Sequence, residues 1–265
     1  MKDILGYQNK RVIVTGCFSG MGRAAAKLLL ELGAQVQGLD YQKSDLNLAS
    51  FHWVDLREPE SLEQAVRAIG GKIDALFNCA GVGPTFSTID KMKVNFIGTR
   101  RLTELVLPLM GDGGAIASIA STAAMGWSRR IPVHKRLLEI EGYDAAVRWT
   151  EENLQTVGEG YGFSKEAIVV WTLANSQHLI KRGIRINCVL PGLTQTPMLT
   201  DSIAVNTSSK VLENVIQPIG RAALPEEQAF PLIMINSPAA SYLNGAAINV
   251  DGGRLALLAM REPEG

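Results

Sequence analysis

The sequence contains few of the residues that build disulfide frameworks or metal sites. Its 265 residues include three cysteines and three histidines. The cysteines, Cys17, Cys79 and Cys188, form no CxxC pair, so neither a disulfide framework nor a zinc site is predicted. The histidines are also far apart along the chain, and we therefore expect no metal.

An excess of charge of either sign is also missing. The 26 Lys and Arg residues balance the 26 Asp and Glu residues, so the formal net charge is zero. Nucleic-acid binding relies on basic residues that neutralise phosphates, and nucleic acid is therefore not an expected partner. The chain begins without the apolar run of a signal peptide and has no apolar stretch of roughly 18 residues that could span a bilayer. We expect a cytoplasmic protein without a membrane partner.

Short β-rich runs alternate with stretches of helical periodicity along most of the chain. The runs cover residues 11–15, 35–39, 51–54, 75–77, 115–119, 185–190 and 247–250. The intervening stretches include predicted helices at 19–32 and 59–69. This alternation predicts an α/β fold with a seven-stranded parallel sheet and helices on both faces. No linker divides the chain, so we expect residues 1–265 to form a single domain.

One stretch, residues 128–157, interrupts this alternation and is rich in charged residues. A structureless loop of this length would be unusual inside a compact domain. We therefore predict an insertion with two short helices, one around Leu137 and one around Trp149. The alternative is a solvated insertion with no role, since surface insertions are generally tolerated.

A glycine-rich turn follows the first predicted strand. The residues GCFSGMG at 16–22 have the spacing GxxxGxG and lead directly into a predicted helix. Glycines let the backbone approach a pyrophosphate, and a helix N-terminus offers free N–H groups and a positive dipole to the anion. The spacing differs from the standard GxGxxG, and three glycines could also serve only a tight turn.

Acidic and amide residues follow the next strands. Asp40 closes the second, where a carboxylate can accept both hydroxyls of an adenosine ribose and would repel a 2′-phosphate. Because no Arg or Lys occupies positions 17–19 or 41–42, we predict NAD rather than NADP. The alternative is a plain turn aspartate. Asp55 follows the third strand and NCAG at 78–81 follows the fourth, where a doubly wound sheet has its ligand crevice.

A tyrosine and a lysine stand four residues apart in YGFSK at 161–165, on one face of a predicted helix. A free tyrosine titrates near pH ~10 and is a poor base. We expect the cation of Lys165 to lower the pKa of Tyr161 and so provide an acid/base group. Alone, such a pair is common by chance on solvated helix faces.

The order of these motifs resembles the short-chain dehydrogenase/reductase family. The matching positions are TGxxxGxG at 15–22, Asp40, NxAG at 78–81, Asn95, Ser121, YxxxK at 161–165, Pro191-Gly192 and DGG at 251–253. The resemblance covers nearly the whole chain. It implies a single Rossmann-type, doubly wound domain and hydride transfer between a nicotinamide and an alcohol or carbonyl.

The resemblance also implies a role for each matching residue. Tyr161 would be the acid/base, Lys165 would hold the nicotinamide ribose, and Ser121 would hydrogen-bond the substrate oxygen, with Ser118 and Thr122 as competitors for that role. Asn95 would hold a water in a proton relay; its alternative is a helix-interior amide satisfied by the backbone. Tyr161 and Lys165 would both also bind the cofactor. The other positions expected to bind it are Gly16, Ser19, Gly20, Met21, Gly22, Asp40, Asp55, Leu56, Asn78, Ala80, Gly81, Pro191, Gly192, Thr194 and Thr196.

Three departures from the family pattern stand out. Cys79 replaces a usual Asn, Thr194 replaces a usual Ile or Val, and far more residues than usual separate Ser121 from Tyr161. An insertion at that point resembles the subgroup of bacterial 3α-hydroxysteroid dehydrogenase/carbonyl reductases and coniferyl-alcohol dehydrogenases.

Residues that flank the expected site are mostly apolar. They are Val82, Pro84, Phe86, Ala123, Met125, Trp127, Met198, Leu199 and Ile203. Such a lining favours a small apolar alcohol or ketone, alicyclic or aromatic, over a sugar or a charged acid, although the same residues could merely pack the core. The sequence thus predicts an NAD-dependent alcohol dehydrogenase/carbonyl reductase of the 3α-hydroxysteroid type. Alternatives are a coniferyl-type aryl-alcohol dehydrogenase, a non-catalytic NAD sensor and a sugar-nucleotide epimerase or dehydratase.

The insertion also bears on assembly. In the family, the helix that carries Tyr161 commonly pairs between subunits in a tetramer, and charged residues are costly to bury in an interface core. The other family interface uses the last strand and the helix before it, and it remains free. We therefore expect a homo-oligomer, as a two-fold dimer in preference to a tetramer. The apolar side chains of Leu137, Leu138 and Trp149 are expected to pack toward the site and cover the substrate.

Overall fold

Seven parallel strands form one sheet in this computed structural model, which describes residues 4–205 and 217–260. They are β1 (Arg11–Thr15), β2 (Gln35–Asp40), β3 (Ser50–Trp53), β4 (Ile73–Asn78), β5 (Met110–Ile119), β6 (Arg185–Pro191) and β7 (Ala247–Val250). The order across the sheet is β3-β2-β1-β4-β5-β6-β7, and each neighbouring pair is parallel. The strand order reverses between β1 and β4, because β2 and β3 lie on one side of β1 and the later strands lie on the other. Ligands bind at this point in open α/β folds. The predicted fold class is confirmed.

The strand boundaries follow the apolar pattern, with one difference. The side chains of β1 are buried on both faces, which explains its continuous run of β-branched residues. Strand β5 begins at Met110 rather than at residue 115. Its first half is rich in glycine, with Gly113 at a φ of 80°, and the register with β4 shifts between Ile73 and Ala75. A glycine-rich bulge has no apolar period, so the sequence did not predict this part of the strand.

Helices cover both faces of the sheet. They are α1 (Gly20–Glu31), α2 (Pro59–Ile69), α3 (Thr88–Met92), α4 (Thr99–Val106), α5 (Ile131–Leu138), α6 (Tyr143–Glu152), α7 (Leu154–Val157), α8 (Tyr161–Leu179), α9 (Pro197–Val205), α10 (Pro225–Asn236) and α11 (Arg254–Ala259). A π-helical segment, Lys93–Gly98, joins α3 to α4, and short 3₁₀ turns lie at Leu107–Leu109, Thr122–Ala124, Trp127–Arg129, Ile180–Arg182 and Pro238–Ala240. None of the helices within 4–205 and 217–260 is long and apolar enough to cross a membrane.

Two apolar clusters hold these layers together. On one face α1 packs on α10, with Leu29 and Leu232 fully buried between the helices and the sheet. On the other face α2, α4 and α8 bury Leu62, Leu102 and Ile168. Because helices cover both faces of the sheet, a ligand can bind in the crevice outside the carboxyl ends of the strands.

The insertion belongs to the second cluster and is not a solvated loop. It contains three helices, α5 to α7, where two were predicted. Leu137, Tyr143, Val147 and Val157 are buried with the residues of α8. The side chain of Trp149 stacks on Phe163 of α8 with 6.2 Å between ring centroids.

The insertion's apolar side chains were expected to cover the substrate, and this expectation is wrong. Leu137 is fully buried in the main core, while Leu138 and Trp149 pack against the same core. None of the three is among the residues that line the cleft described below. The amphipathic pattern predicted which side chains are buried, but it could not tell whether they pack on the helix or over the ligand crevice.

A buried polar cluster fixes the insertion to α8. His134 is fully buried, and its Nε2 lies 2.8 Å from Oε2 of Glu166. The same oxygen is 3.3 Å from Nη1 of Arg130, whose guanidinium also stacks over the ring of Phe163. Burial lowers the pKa of His134, although the hydrogen bond and charge of Glu166 act in the opposite direction. The insertion is therefore joined to α8 through polar as well as apolar contacts.

We expect His134→Ala to lower the free energy of unfolding by about 3 kcal/mol, because it creates a cavity and removes a hydrogen-bond partner from buried Glu166. Urea denaturation followed by circular dichroism measures the change. Lys135→Ala, at an exposed position of the same helix, is the matched control and should change stability by less than about 0.5 kcal/mol. Equal midpoints for the two variants would contradict the role of this cluster.

Candidate active site

The glycine turn after β1 approaches the neighbouring strand end closely. Gly16 has a φ of 70°, and its N–H donates to the carbonyl of Leu39 at 2.9 Å. A Cβ at this position would lie 2.9 Å from the backbone of Ala80. A Cβ at Gly22 would clash with the carbonyl of Gly16. Both positions therefore require glycine, as the spacing predicted.

A threonine that precedes this turn was not among the predicted site residues. The hydroxyl oxygen of Thr15 accepts hydrogen bonds from the N–H groups of Cys79 and Ala80, at 2.9 and 3.0 Å. It thereby joins the ends of β1 and β4. The sequence signal was present, since a polar residue ends an otherwise apolar buried strand.

A cleft of about 400 Å³ opens at the carboxyl ends of the strands. Eleven of the predicted cofactor residues line it: Gly16, Ser19, Gly20, Met21, Gly22, Asp40, Asp55, Leu56, Ala80, Gly81 and Thr196. The first turn of α1 thus lies at the cleft wall. Thr196 lies next to this turn, since a Cβ at Gly20 would be only 3.2 Å from Cγ2 of Thr196.

Asp40 occupies the predicted position at the end of β2 and is buried. Its carboxylate accepts hydrogen bonds from the N–H groups of Phe18 at 2.9 Å and Gln42 at 3.0 Å. Burial raises the pKa of Asp40, and the hydrogen bonds from backbone N–H groups partly offset that rise. The carboxylate is therefore held in place at the cleft wall by the turn after β1 and by its own loop.

Asp55 is paired with an arginine that sequence reasoning missed. The guanidinium of Arg57 donates to its carboxylate from Nε at 3.0 Å and from Nη2 at 2.6 Å. Burial alone would raise the pKa of Asp55, but the hydrogen bonds and charge of Arg57 outweigh it and lower the pKa. Arg57 also lines the cleft. The neighbouring carbonyl of Leu56 accepts a hydrogen bond from the Tyr143 hydroxyl of the insertion at 3.0 Å.

Four predicted cofactor residues do not line the cleft. Asn78 is buried beneath it and donates to the hydroxyls of Thr103 and Ser118. Pro191 is buried at the end of β6, and the Thr194 hydroxyl donates to the Gly192 carbonyl at 3.0 Å. Gly192 borders a separate pocket beside β7.

Three of the four predicted catalytic side chains meet at the end of β5. Tyr161 is the first residue of α8, and its hydroxyl is hydrogen-bonded to Ser121. The Nζ of Lys165 donates to the carbonyl of Ile119 at 2.9 Å and lies 5.8 Å from the centroid of the Tyr161 ring. The group borders the cleft at Gly81, where a Cβ would be 3.4 Å from Nζ of Lys165.

Asn95, the fourth, lies in the π-helical segment, an irregularity frequent at functional sites. Its Oδ1 accepts from the N–H of Val82 at 2.8 Å, and its Nδ2 donates to the Val82 carbonyl at 3.1 Å and to Oγ of Ser164 at 3.2 Å. The two bonds to Val82 fit the alternative stated for Asn95, namely a helix-interior amide whose hydrogen bonds are satisfied by the backbone. The side chain fixes the loop that contains Val82 against α8.

The predicted effect of the lysine on the tyrosine is wrong. Burial raises the pKa of Tyr161, the hydrogen bond with Ser121 offsets part of this rise, and the charge of Glu159 adds to it. Burial also lowers the pKa of Lys165 to about 8. The i,i+4 spacing placed the two groups correctly, but it did not reveal that Lys165 is buried and Tyr161 half-buried.

Some of the apolar residues expected around the substrate line the cleft, and others lie elsewhere. Val82, Pro84, Phe86 and Met198 line the cleft. Ala123 and Met125 are exposed, and Trp127 packs against the core. Leu199 is half-buried outside the cleft lining, and the side chain of Ile203 lies outside the part of the chain that the structure describes.

Comparison with known proteins gives consistent matches. The profile of the short chain dehydrogenase family matches residues 10–132, and a profile described as enoyl-(acyl carrier protein) reductase matches residues 145–254. Coniferyl-alcohol dehydrogenase of Pseudomonas sp. strain HR199 is 32% identical over 246 residues, 92% of this chain and 96% of that protein. 3-alpha-Hydroxysteroid dehydrogenase/carbonyl reductase of Comamonas testosteroni is 29% identical over 250 residues, 91% of this chain and 95% of that protein.

A solved structure extends the likeness to three dimensions. The crystal structure of the 3-alpha-hydroxysteroid dehydrogenase from Pseudomonas sp. B-0831 complexed with NADH matches with a TM-score of 0.82 and 30% identity. The match covers 96% of this chain and 100% of that chain.

Proposed function

The chain belongs to the short-chain dehydrogenase family, and from this premise we propose that it is an NAD-dependent oxidoreductase that interconverts an apolar cyclic or aromatic alcohol and its carbonyl. One observation carries the proposal. Ser121, Tyr161 and Lys165 converge beside Gly81, at the border of a cleft whose other wall holds Asp40 and the first turn of α1.

The residues of the cleft fit a dinucleotide. The N–H groups of the first turn of α1 suit a pyrophosphate, and glycine at 16 and 22 permits the close approach of backbone that this binding needs. The carboxylate of Asp40 is suited to accept hydrogen bonds from the adenosine ribose. Bound NAD would supply a hydride acceptor, and its reduced form a hydride donor.

The chain's own residues would handle the proton and the substrate oxygen. Tyr161 donates its phenolic proton to a carbonyl oxygen as it gains negative charge, and it takes the proton back when an alcohol is oxidised. The Ser121 hydroxyl hydrogen-bonds the same oxygen. Lys165 holds the nicotinamide ribose. Asn95 fixes the Val82 loop and holds a water that passes protons to solvent.

The cleft lining supports an apolar substrate. Val82, Pro84, Phe86 and Met198 supply aliphatic, thioether and aromatic surface. Two relatives favour different members of this class: one acts on coniferyl alcohol, an aryl alcohol, and the other on a 3-alpha-hydroxysteroid. We place the alicyclic alcohol first because the solved structure that matches with a TM-score of 0.82 is a 3-alpha-hydroxysteroid dehydrogenase.

The absorbance of NADH during turnover tests the function. The purified protein is mixed with NAD and a panel of 3α-hydroxysteroids, other alicyclic alcohols, aryl alcohols and sugars, and the matching ketones are mixed with NADH. We expect turnover with the first three classes and not with sugars. NAD binding without turnover would indicate a sensor, and a product formed without net reduction would indicate an epimerase.

We further propose a two-fold dimer. Helix α5 covers α8 through His134 and Glu166, whereas α10 leaves Phe230 and Met234 exposed beside the sheet. Light scattering should give twice the chain mass of 28.6 kDa. Phe230→Glu should convert the protein to monomers, because a charge is costly at the centre of an interface. A tetramer with α8 at a subunit contact would contradict the proposal that the insertion keeps α8 out of a subunit interface.

A further inference from the structure

A buried lysine lies outside the catalytic group already described. Lys91 is on α3, its side chain is 7% exposed, and its Nζ donates to the carbonyl of Glu159 at 2.9 Å and to Oε2 of the same residue at 3.2 Å. A lysine is rarely buried unless it is paired. Both partners are on the residue that stands two positions before Tyr161.

We propose that Lys91 is a positioning residue for Tyr161, which it orients and balances electrostatically through Glu159. The inference rests on the proposed acid/base role of Tyr161. It concerns how the first turn of α8 is fixed relative to α3 and to the π-helical segment that carries Asn95.

Glu159 caps the first turn of α8. Its Oε1 accepts the N–H of Gly162 at 2.9 Å, and a hydrogen bond from the N–H of Tyr161 adds to this contact. A carboxylate at a helix N-terminus interacts favourably with the free N–H groups and the dipole. Glu159 therefore determines where the Tyr161 backbone begins its helix, and Lys91 determines where Glu159 lies.

Two more contacts fix the loop at 158–160, which precedes α8, against α3. The hydroxyl of Thr88 donates to the carbonyl of Gly158 at 3.2 Å. Gly160 has a φ of 88°, and a Cβ there would lie 2.9 Å from the Thr88 carbonyl. Because α3 continues directly into the segment with Asn95, these contacts set the distance between Asn95 and Tyr161.

The charge on Glu159 also acts on the phenol. A negative charge close to Tyr161 disfavours the phenolate, and Lys91 supplies the compensating positive charge. The elements packed against the start of α8 also carry charged groups, which are Lys165, Asp90, Lys93, Arg129, Lys135, Arg136 and the paired cluster of Arg130, His134 and Glu166. Loss of Lys91 and loss of the Glu159 charge should therefore shift the ionisation of Tyr161 in opposite directions.

The test compares pH profiles of kcat for alcohol oxidation. In Lys91→Met the carboxylate is uncompensated and the first turn less fixed, so kcat should fall about tenfold and the profile should move about half a unit to higher pH. Glu159→Gln keeps an oxygen for the Gly162 N–H but removes the charge, so its profile should move to lower pH with a smaller loss of kcat. Lys91→Arg should restore most of the activity.

Controls separate positioning from general damage. Lys181→Met, at an exposed site beyond the other end of α8, should leave kcat and the profile unchanged. The Kd of NADH, measured by fluorescence, should be the same in all variants. If Lys91→Met does not fold, Glu159→Gln alone decides the outcome, and an unshifted profile overturns the inference.

Two results would overturn the proposal in distinguishable ways. Profiles that do not move, or that move in the same direction in both variants, in an active enzyme would reject the role of Lys91 alone. Absence of any turnover by the unmodified protein would reject the proposed function and this inference with it.

Discussion

Tyr161→Phe is expected to lower turnover by at least about 100-fold while NAD binding remains nearly intact. The change keeps the aromatic ring and removes only the hydroxyl that is hydrogen-bonded to Ser121. The ring itself can stay at the start of α8, so the fold should not change. The cofactor is expected to be held mainly by the residues of the cleft wall and not by this hydroxyl.

The rates of alcohol oxidation and carbonyl reduction should depend on pH in opposite ways. Because burial raises the pKa of Tyr161, the phenol is protonated at neutral pH. A protonated phenol can assist carbonyl reduction, whereas alcohol oxidation needs the phenolate. The rate of oxidation should therefore rise as the pH rises above neutral, and Tyr161→Phe should abolish that rise.

Steady-state rates with NAD and a cyclic alcohol, together with NADH fluorescence titration, measure both parts of the prediction. Tyr242→Phe is the matched control, since that side chain is fully exposed and away from the cleft. A Tyr161→Phe protein that kept most of its activity would require another acid/base residue.

The sequence predicted the layers of the fold because the apolar periods are strong. In β1 every residue from Val12 to Thr15 is buried, and α2 places Leu62, Val66 and Ile69 on one buried face. Where the period is weak, as in the glycine-rich start of β5, the boundary was missed. The seven described strands share one sheet, which supports the proposal that the chain is a single domain.

The sequence predicted the backbone part of the site better than its side-chain electrostatics. Glycine spacing and strand ends predicted eleven cofactor positions that line one cleft, since backbone geometry there depends on local sequence. By contrast, Arg57 on Asp55 and Lys91 on Glu159 are contacts between side chains whose partners become apparent only after folding. The predicted lowering of the Tyr161 pKa was wrong for the same reason, because burial raises this pKa and burial is a property of the whole fold.

NAD should be preferred over NADP by about 100-fold or more in kcat/KM. The carboxylate of Asp40 would stand beside the 2′-phosphate, and two unit charges at ~4 Å repel by about 4 kcal/mol at the effective dielectric constant of a protein surface. Each ~1.4 kcal/mol corresponds to a factor of ten. Arg57, which lines the same cleft, is already paired with Asp55 and is not free to compensate the phosphate.

Two substitutions at this position isolate the charge from the hydrogen bonds. Asp40→Ala removes the repulsion and also the acceptor for the N–H groups of Phe18 and Gln42, so it should narrow the NAD preference at least about tenfold while weakening NAD use as well. Asp40→Asn keeps one oxygen acceptor and should narrow the preference with less loss of stability. Asp201→Asn removes one charge elsewhere in the cleft lining and should leave the ratio of the two kcat/KM values nearly unchanged. Equal or better kcat/KM with NADP in the unmodified protein would show that Asp40 does not select the cofactor, because its charge would then be neutralised or turned away from the ribose.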